Sequence, residues 1–378
     1  MKNTTRRTLL AILVLTLVTR VSGCTVDGVV AEKPAGAEIG AVVRVGSMTT
    51  SRAAHTATLL PDGRVFVAGG LAGGSGTATT EIFDPAKSTF ASASDMSVAR
   101  TGHTATLLSN GKVLIAGGYN GSYLANAELY DPAANSFTPV RSMNAARSGH
   151  VATVLPNGKV LLVGGVGVGW TFLSSAEVFD PATNTFTSTG DMLAARESHT
   201  ATLLGNGKVL IAGGHRGRRP SVTIYSSTEI YDPATGRFTA GSDMTRIRHK
   251  HEAVLLADGR VLIAGGSDER DGDGAYANAE IYDPVSSTFR ATGNMNSARY
   301  KLQGTGVLLS DGKVLVAGGA NRAEVFDPAR NTFTYAGGNM ETPRLFATAT
   351  RLRNGQVLII GGYHSNSIAS FNAWLYRT

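Results

Sequence analysis

The chain has 378 residues, among them 46 glycines and a single cysteine, and its 35 Lys and Arg residues outnumber 28 Asp and Glu residues for a net charge of +7. One thiol excludes a disulfide framework. Because residues 1–23 hold four basic residues and no acidic ones, the rest of the chain has only a mild, dispersed positive excess, which argues against nucleic-acid binding.

The first 23 residues have the layout of a secretory signal. Lys2, Arg6 and Arg7 precede an apolar run from Leu9 to Val18, which is too short to cross a hydrocarbon core of about 30 Å as a helix. A basic segment followed by a short apolar one is typical of a signal peptide, which takes no part in the fold. We therefore predict a signal peptide over residues 1–23 and an exported protein.

The only cysteine follows this signal directly. The sequence Val21-Ser22-Gly23-Cys24 resembles a bacterial lipobox, in which cleavage before the cysteine leaves a lipidated N-terminal residue. The resemblance implies a membrane anchor at Cys24 and a linker over residues 24–39. It also favours the outer membrane or cell surface, since Thr25 rather than Asp follows the cysteine. The alternative is an ordinary secretory signal, which would leave the protein periplasmic or secreted.

Internal repeats organise residues 40–378. A Gly-Gly pair follows an apolar run seven times, at intervals of 43 to 53 residues. The pairs are Gly69-Gly70, Gly117-Gly118, Gly164-Gly165, Gly213-Gly214, Gly265-Gly266, Gly318-Gly319 and Gly361-Gly362. An Asn-Gly or Asp-Gly dipeptide precedes each apolar run, and these dipeptides favour the type I′ turn of a hairpin. Each turn therefore joins two antiparallel strands.

Two further strands complete each repeat. After a variable loop comes a third strand such as Ala127 to Pro132, which ends at its proline because proline cannot donate to the ladder. A short fourth segment follows, such as Asn135 to Val140. Four short antiparallel strands in a repeat of about 50 residues are typical of a propeller blade. The sequence thus predicts an all-β, seven-bladed β-propeller as one domain, with blade cores near residues 48–90, 96–137, 143–186, 192–238, 244–289, 295–333 and 340–378.

The chain ends indicate how the ring closes. The seventh repeat stops at its third strand, Ala373 to Thr378, whereas Ala41 to Met48 precede the first repeat and align with the fourth strands of the others. We predict that residues 41–48 complete the last blade, which removes an exposed edge that would favour aggregation. We also expect a monomer.

These features resemble kelch repeats. The marks are the Gly-Gly pair after an apolar strand, an aromatic residue in the third strand and another in the fourth, where kelch repeats usually have Trp and this chain has Phe. The third-strand aromatics are Phe83, Tyr130, Phe179, Tyr231, Tyr282, Phe326 and Tyr376, and the fourth-strand ones are Phe90, Phe137, Phe186, Phe238, Phe289 and Phe333. The resemblance covers all seven repeats and implies the propeller fold, which hosts both binding proteins and enzymes.

A charged pattern repeats where each blade begins. Every blade opens with an arginine, five blades have a histidine three residues later, and six third strands carry a glutamate. The residues are Arg52, His55, Arg100, His103, Arg147, His150, Arg196, His199, Arg248 and His251 at the openings, with Glu81, Glu128, Glu177, Glu229, Glu280 and Glu324 in the third strands. A feature of nearly every blade is more often scaffold than site, so we interpret these residues as structural. The alternative is a ring of arginines around an anionic ligand.

Candidate ligand contacts lie where this pattern breaks and on the variable loops between second and third strands, because such loops on a rigid scaffold commonly carry binding sites. Blades six and seven lack the histidine, and blade seven has Trp374 in place of the glutamate. The candidates are Arg299, Tyr300, Lys301 and Arg344 in those blades, the loop aromatics Tyr119, Tyr123, Trp170 and Phe172, and the basic residues His215 and Arg216 of the blade-four loop.

Two functions remain compatible with the sequence. The first is a binding module that holds a glycan or a protein partner on its variable-loop face, without a cofactor or metal. The second, implied by the resemblance to periplasmic kelch proteins that isomerise sugars, is a sugar-acting enzyme of the isomerase or mutarotase kind at the channel mouth. Kelch propellers also resemble the scaffold of copper radical oxidases. That chemistry uses a Tyr–Cys crosslink, and the sole cysteine of this chain, Cys24, belongs to the lipobox.

Overall fold

The computed structural model describes residues 40–364 and 368–378, in which seven four-stranded antiparallel sheets follow one another along the chain. The first strands of neighbouring blades contact each other around the whole ring, including those of blades one and seven. The prediction of an all-β, seven-bladed propeller is confirmed. The predicted signal peptide and Cys24 lie outside the described residues. Within them, the structure contains no helix with the length and apolar character needed to cross a membrane.

Each blade contributes four strands, which follow one another from the channel to the rim. The first four blades consist of Thr56–Leu59, Val65–Ala68, Thr80–Asp84 and Thr89–Ser92; Thr104–Leu107, Val113–Ala116, Ala127–Asp131 and Ser136–Val140; Val151–Val154, Val160–Val163, Ala176–Asp180 and Thr185–Ser188; Thr200–Leu203, Val209–Ala212, Thr228–Asp232 and Arg237–Ala240. The last three consist of Glu252–Leu255, Val261–Ala264, Ala279–Asp283 and Thr288–Ala291; Gly306–Leu308, Val314–Val316, Glu324–Asp327 and Thr332–Tyr335; Leu345–Arg351, Val357–Tyr363, Ala373–Arg377 and Ala41–Arg44.

The loops between second and third strands contain small elements of their own. Three two-stranded ribbons pair Leu71–Ala72 with Ser75–Gly76, Val166–Gly167 with Thr171–Phe172, and His215–Arg216 with Thr223–Ile224. Two short 3₁₀ helices span Val168–Trp170 and Asp271–Gly274. These loops all lie on one face of the propeller, because strands alternate in direction within a blade.

The Gly-Gly pairs mark a close approach between neighbouring segments. Gly69 and Gly70 adopt φ values of +60° and +96°, a region that favours glycine. A Cβ on Gly70 would lie 2.7 Å from the carbonyl oxygen of Ala53. The pair therefore lets the second strand of blade one pass against the segment that opens the blade.

The core is divided among the blade interfaces. The second strands of the first five blades are buried at every position, which agrees with their continuous apolar sequences. The third- and fourth-strand aromatics face each other directly across the ladder, as Phe83 does with Phe90 at 4.9 Å between ring centres. Six blades repeat this pair within 4.8–5.0 Å. The third-strand rings also pack across the blade interfaces, as Tyr130 of blade two does on Phe66 of blade one at 4.1 Å.

The ring closes through the N-terminal strand. Ala41–Arg44 pairs antiparallel with Ala373–Arg377, with Val42 opposite Tyr376. The strand is shorter than the predicted segment of residues 41–48, but the chain beyond it stays attached: the Val45 N–H donates to the Ala373 carbonyl at 3.0 Å and the Met48 N–H to that of Phe371 at 2.8 Å. Blade seven is therefore built from both ends of the propeller, as the sequence predicts.

Candidate functional site

The mouth of the central channel is built from one repeated backbone position. The second residue after each opening arginine adopts a left-handed conformation, with φ between +49° and +64°. The N–H groups of Ala54, Gly149 and Lys250 donate to the carbonyl of their counterpart in the preceding blade. The seven residues are Ala54, Gly102, Gly149, Ser198, Lys250, Lys301 and Phe346. Those of blades one to four are small and those of blades five to seven are large, so the described residues leave the mouth open on the side of blades one to four.

A cavity of about 720 Å³ occupies the channel mouth and the open side. We call it the mouth pocket. Its floor is formed by the first strands, and its rim by the variable loops of blades two and three together with the blade openings. Residues from all seven blades line it, and those that differ most from their counterparts are Tyr119, Tyr123, Trp170, Glu197, Gln303 and Phe346. This volume lies in the range of small-molecule sites, about 300–1,000 Å³.

Three of the four predicted loop aromatics form one wall of the mouth pocket. The ring centres of Tyr119 and Tyr123 lie 5.1 Å apart, and Trp170 meets Tyr123 edge to face at 5.7 Å. Trp170 is 51% exposed, and the guanidinium of Arg218 lies over its ring. Phe172 is separate from this wall and packs against His215 at 5.5 Å. The sequence singled out these aromatic residues as candidate ligand contacts, and the structure shows which of them meet.

The opening histidines form a polar band inside the channel. Nε2 of His103 lies 3.0 Å from the Thr56 hydroxyl of the preceding blade, and the same pairing joins His55 to Thr348, His150 to Thr104 and His251 to Thr200. Burial, with a contribution from the neighbouring Arg52, lowers the pKa of His55 to about 3. The histidines are therefore neutral links between blades rather than a cationic ring.

His199 breaks this band. It is fully buried, and neither of its ring nitrogens has a hydrogen-bond partner among the described residues. The corresponding position of the preceding blade is Val151, which has no hydroxyl to offer. An unpaired buried polar group lowers stability, so the junction between blades three and four contains a local defect.

Val151→Thr is expected to stabilise the protein by about 0.5–1.5 kcal/mol. Threonine is nearly isosteric with valine and would place a hydroxyl where Thr56, Thr104 and Thr200 hold their histidines. Equilibrium unfolding in urea measures the change. Val154→Thr, at the exposed end of the same strand, is the control and should shift the free energy of unfolding by less than about 0.5 kcal/mol. Equal effects of the two substitutions would contradict the account of His199.

The repeated arginines and glutamates form buried ion pairs. Arg147 donates to Glu177 at 2.9 Å and to the carbonyl oxygen of Gly164, and Glu177 also accepts the N–H groups of Asn144 and Ala145. Burial lowers the pKa of Arg147, and Glu177 opposes that effect. The same pair occurs in blades one to six at 2.6–3.0 Å. Each pair ties the opening of a blade to its third strand.

Two predicted ligand contacts are corrected by this geometry. Arg299 is fully buried and bonded to Glu324 at 2.6 Å, so it belongs to the ion pairs rather than to an open surface. Arg344 has no carboxylate partner within ion-pair distance in the described part of the chain, as the sequence predicts. It is nonetheless only 3% exposed, because its guanidinium lies 4.6 Å from the ring centre of Trp374 and donates to the Met340 carbonyl.

Tyr300 and Lys301 lie on the closed side of the mouth. The Lys301 ammonium donates to the Tyr363 hydroxyl at 2.7 Å and lies 5.0–5.5 Å from the ring centres of Tyr300, Phe346 and Tyr363. Neither Tyr300 nor Lys301 lines the mouth pocket. Their cluster instead fills the mouth over blades six and seven.

The basic loop of blade four contributes to a chain of titratable groups. His215 lies with Nε2 3.6 Å from Glu197 and with Nδ1 3.1 Å from Nδ1 of His249, whose Nε2 is 3.4 Å from Asp271. Lys250 also pairs with Asp271. Arg216, in contrast, is exposed on the outer ribbon. Within the described residues, no group of three or more His, Cys, Asp or Glu side chains has a geometry suited to a metal ion.

Two carboxyl groups that the sequence analysis missed line the mouth pocket. Burial raises the pKa of Glu197 to about 7, although Lys250 and Arg218 oppose it. Burial also raises the pKa of Glu252 to about 7, against hydrogen bonds from the N–H groups of Gly306, Thr305 and Ala253. The sequence feature that marks both carboxyl groups is a further departure from the repeat. Blade four alone has glutamate directly after its opening arginine, and blade five alone has one directly after its opening histidine.

Comparison with known proteins agrees with this architecture. The family model described as "KLHDC2/KLHL20/DRC7 Kelch-repeats domain" matches residues 102–319, and that of the Kelch motif matches residues 52–97. A search of curated proteins finds no match. Among solved structures, the chain is similar to a "Novel fungal alcohol oxidase with catalytic diversity among the AA5 family, in complex with copper", with a TM-score of 0.70 and 19% identity over 90% of this chain and 76% of that one. At this identity the likeness concerns the fold alone.

Proposed function

Because the chain belongs to the kelch-repeat family of β-propellers, we propose that it is a binding module whose mouth pocket holds a sugar residue of a glycan. Kelch propellers commonly serve as interaction modules, and the fold alone does not choose the ligand. The choice of a glycan rests on the composition of the mouth pocket.

The observation that carries the proposal is the aromatic wall of Tyr119, Tyr123 and Trp170. A pyranose ring has an apolar face of C–H groups and a rim of hydroxyls, so it fits a site that combines aromatic faces with hydrogen-bonding groups. Aromatic side chains supply large contact areas and carry much of the energy of binding sites. Trp170 is half exposed at the rim, and its ring is held by an edge-to-face contact with Tyr123 and by the Arg218 guanidinium over it. The side chain therefore loses little conformational entropy when a ligand binds.

The polar lining supports an uncharged ligand. The mouth pocket is also lined by Glu197 and by residues with hydroxyl or amide groups, namely Thr101, Ser148, Ser198 and Gln303. The opening arginines of blades one to six form no cationic ring for an anionic ligand, because they are buried against their own glutamates. A concave pocket of this size can enclose one sugar residue, whereas the flat surface of a protein partner would not fill it.

We extend the proposal to location: the module is exported and held at a membrane surface by lipidation of Cys24. Its support is the sequence pattern of residues 1–24. Two or more acyl chains would hold the protein firmly, since each buried methylene contributes about 0.8 kcal/mol.

A second candidate is an enzyme that acts on a small sugar, of the isomerase or mutarotase kind. The observation that favours it is Glu197, a carboxyl group in the mouth pocket with a pKa raised to about 7, which is the range of a general acid or base at neutral pH. Proton NMR of sugars incubated with the protein distinguishes the candidates. Binding without interconversion supports the module, and interconversion supports the enzyme.

Trp170→Ala is expected to weaken glycan binding at least about tenfold, the usual effect of losing an aromatic residue at the centre of a binding site. The measurement is a glycan array with the full chain, followed by calorimetric titration of a methyl pyranoside that carries the selected sugar. Phe371→Ala is the matched control, because Phe371 is also 51% exposed but does not line the mouth pocket. An unchanged affinity in Trp170→Ala, or an array on which the wild-type protein binds nothing, would overturn the proposal.

A further inference from the structure

Glu197 has a special position in the repeat. The residue directly after the opening arginine is Ala53, Thr101, Ser148, Glu197, His249, Tyr300 or Leu345 in blades one to seven. Only blade four places a carboxyl group there. Residues repeated in nearly every blade belong to the scaffold. An ionisable residue that occurs once at its position and lines the mouth pocket is therefore a candidate for ligand recognition.

The carboxyl group of Glu197 is open to the mouth pocket. Its side chain is 29% exposed, and no described side chain or N–H group forms a hydrogen bond to it. The 3.6 Å between Oε2 and Nε2 of His215 is longer than a hydrogen bond. Gly149 makes room for the group, because a Cβ at that position would lie 2.5 Å from Oε1. Glu197 therefore has both oxygens within reach of a bound molecule.

A chain of polar groups extends behind Glu197. Nδ1 of His215 lies 3.1 Å from Nδ1 of His249. Nε2 of His249 faces two acceptors, the Asp271 carboxylate at 3.4 Å and the Asp268 carbonyl oxygen at 3.3 Å. The hydrogen bond from His249 and the ion pair with Lys250 lower the pKa of Asp271 far below its usual range. Asp271 is thus a fixed negative charge at the far end of the chain.

The described groups nearest Glu197 supply no hydrogen bond to its ionised form. Burial lowers the pKa of His215 to about 3, so this ring is neutral, and its Nε2 stays 3.6 Å from Oε2. Glu177, in contrast, accepts from Arg147 and from the N–H groups of Asn144 and Ala145. Since such donors stabilise a buried carboxylate, their absence at Glu197 favours its protonated form.

From this geometry we propose that Glu197 recognises the sugar as a carboxylic acid, donating a hydrogen bond to a ring or hydroxyl oxygen of an uncharged pyranose. Asp271, whose negative charge lies behind His215 and His249, is a positioning residue that helps to keep the proton on Glu197. The inference rests on the proposed function, and it assigns the group that selects the ligand.

The charges around Glu197 act in both directions. Burial disfavours the ionised form, whereas Lys250 and Arg218 favour it, and Tyr123 opposite is neutral at physiological pH. Burial prevails, and the pKa of Glu197 is about 7. The protonated form therefore predominates at acidic pH and is lost as the pH rises through the pKa of Glu197. Binding that uses this form must weaken in the same interval.

The test uses calorimetric titration with the methyl pyranosides of glucose, galactose, mannose and N-acetylglucosamine from pH 5.5 to 8.5. The wild-type protein is expected to bind about tenfold more weakly at pH 8 than at pH 6, in proportion to the protonated fraction of Glu197. Glu197→Gln should retain the affinity measured at pH 6 within about threefold at every pH, because the amide also donates a hydrogen bond. Glu269→Gln, a change of an exposed glutamate in the neighbouring blade-five loop, should keep the wild-type pH profile.

Asp271→Asn tests the positioning role of Asp271. The substitution removes the fixed charge and leaves Lys250 without its partner, so both changes favour ionised Glu197. The midpoint of the binding profile should move to lower pH by about half a unit or more, whereas a purely structural role would leave it in place. An unmoved midpoint in a variant that melts like the wild type overturns the role of Asp271.

The outcomes separate the two proposals. If none of the four pyranosides binds the wild-type protein, the proposed function fails and this inference fails with it. If they bind with an affinity that is independent of pH or rises with it, or if Glu197→Gln binds weakly at every pH, the proposed function stands and the carboxylic-acid role of Glu197 is overturned.

Discussion

Glu177→Ala is expected to destabilise the propeller by about 3–5 kcal/mol, because it leaves the guanidinium of Arg147 buried without its carboxylate. Arg147 has no exposed surface, and Glu177 is its only ion-pair partner in the described part of the chain. The substitution also removes the acceptor of the N–H groups of Asn144 and Ala145. Urea unfolding of the full chain, followed by tryptophan fluorescence and circular dichroism, measures the loss.

Blade three supplies a matched control for that loss. Lys159 and Asp180 form an ion pair at 2.9 Å, similar in distance to that of Arg147 and Glu177, but the lysine side chain is 43% exposed. Lys159→Ala should therefore cost less than about 1 kcal/mol. Similar losses from the two substitutions would contradict the view that burial makes the repeated Arg–Glu pair a structural requirement.

Val42→Asp is expected to cost about 3–5 kcal/mol and to promote aggregation. Val42 is 4% exposed and belongs to the apolar cluster between blades six and seven, with Met340, Trp374 and Tyr376. An aspartate there would bury a carboxylate without a partner. Detachment of the N-terminal strand would then expose the edge of Ala373–Arg377 to other chains. Urea unfolding and light scattering during a thermal ramp measure the two effects.

A substitution at the neighbouring residue distinguishes loss of ring closure from a general effect of placing a carboxylate in this strand. Val43 is in the same strand, but it points to the opposite face and is 37% exposed. Val43→Asp should lower the free energy of unfolding by less than about 1 kcal/mol and leave the protein soluble. If Val42→Asp is as stable as Val43→Asp, the N-terminal strand does not close the ring in solution.

The division between repeated and unrepeated residues has a functional consequence. The Arg–Glu pairs, the aromatic pairs and the His–Thr links recur from blade to blade and hold the scaffold together. The features that could select a ligand occur once each, as Trp170 and Glu197 do. Substitutions of the repeated residues are expected to lower the stability of the protein, whichever ligand is studied. Substitutions of the residues that occur once should change ligand binding and leave the stability unchanged.

Local sequence determined most of the fold. Each hairpin is marked by an Asn-Gly or Asp-Gly turn, the apolar strand after it and a Gly-Gly pair. These features lie within about ten residues of each other, so they predict the hairpin without knowledge of the rest of the chain. The count of seven blades, the recurring positions of the aromatic residues and the completing strand at Val42 then followed from repetition and from the missing fourth strand of the last repeat.

Only the tertiary structure decided which residues form the site. Tyr123, Trp170 and Glu197 come from three different blades, and their contacts depend on how loops of unequal length turn over the channel. The break in the repeat at Arg344 was visible in the sequence, but Trp374 covers the guanidinium that was expected to be open. Strand pairing follows short-range periodicity, whereas the mouth pocket arises from contacts between loops of neighbouring blades and from the arrangement of all seven blades around the channel, which no local pattern encodes.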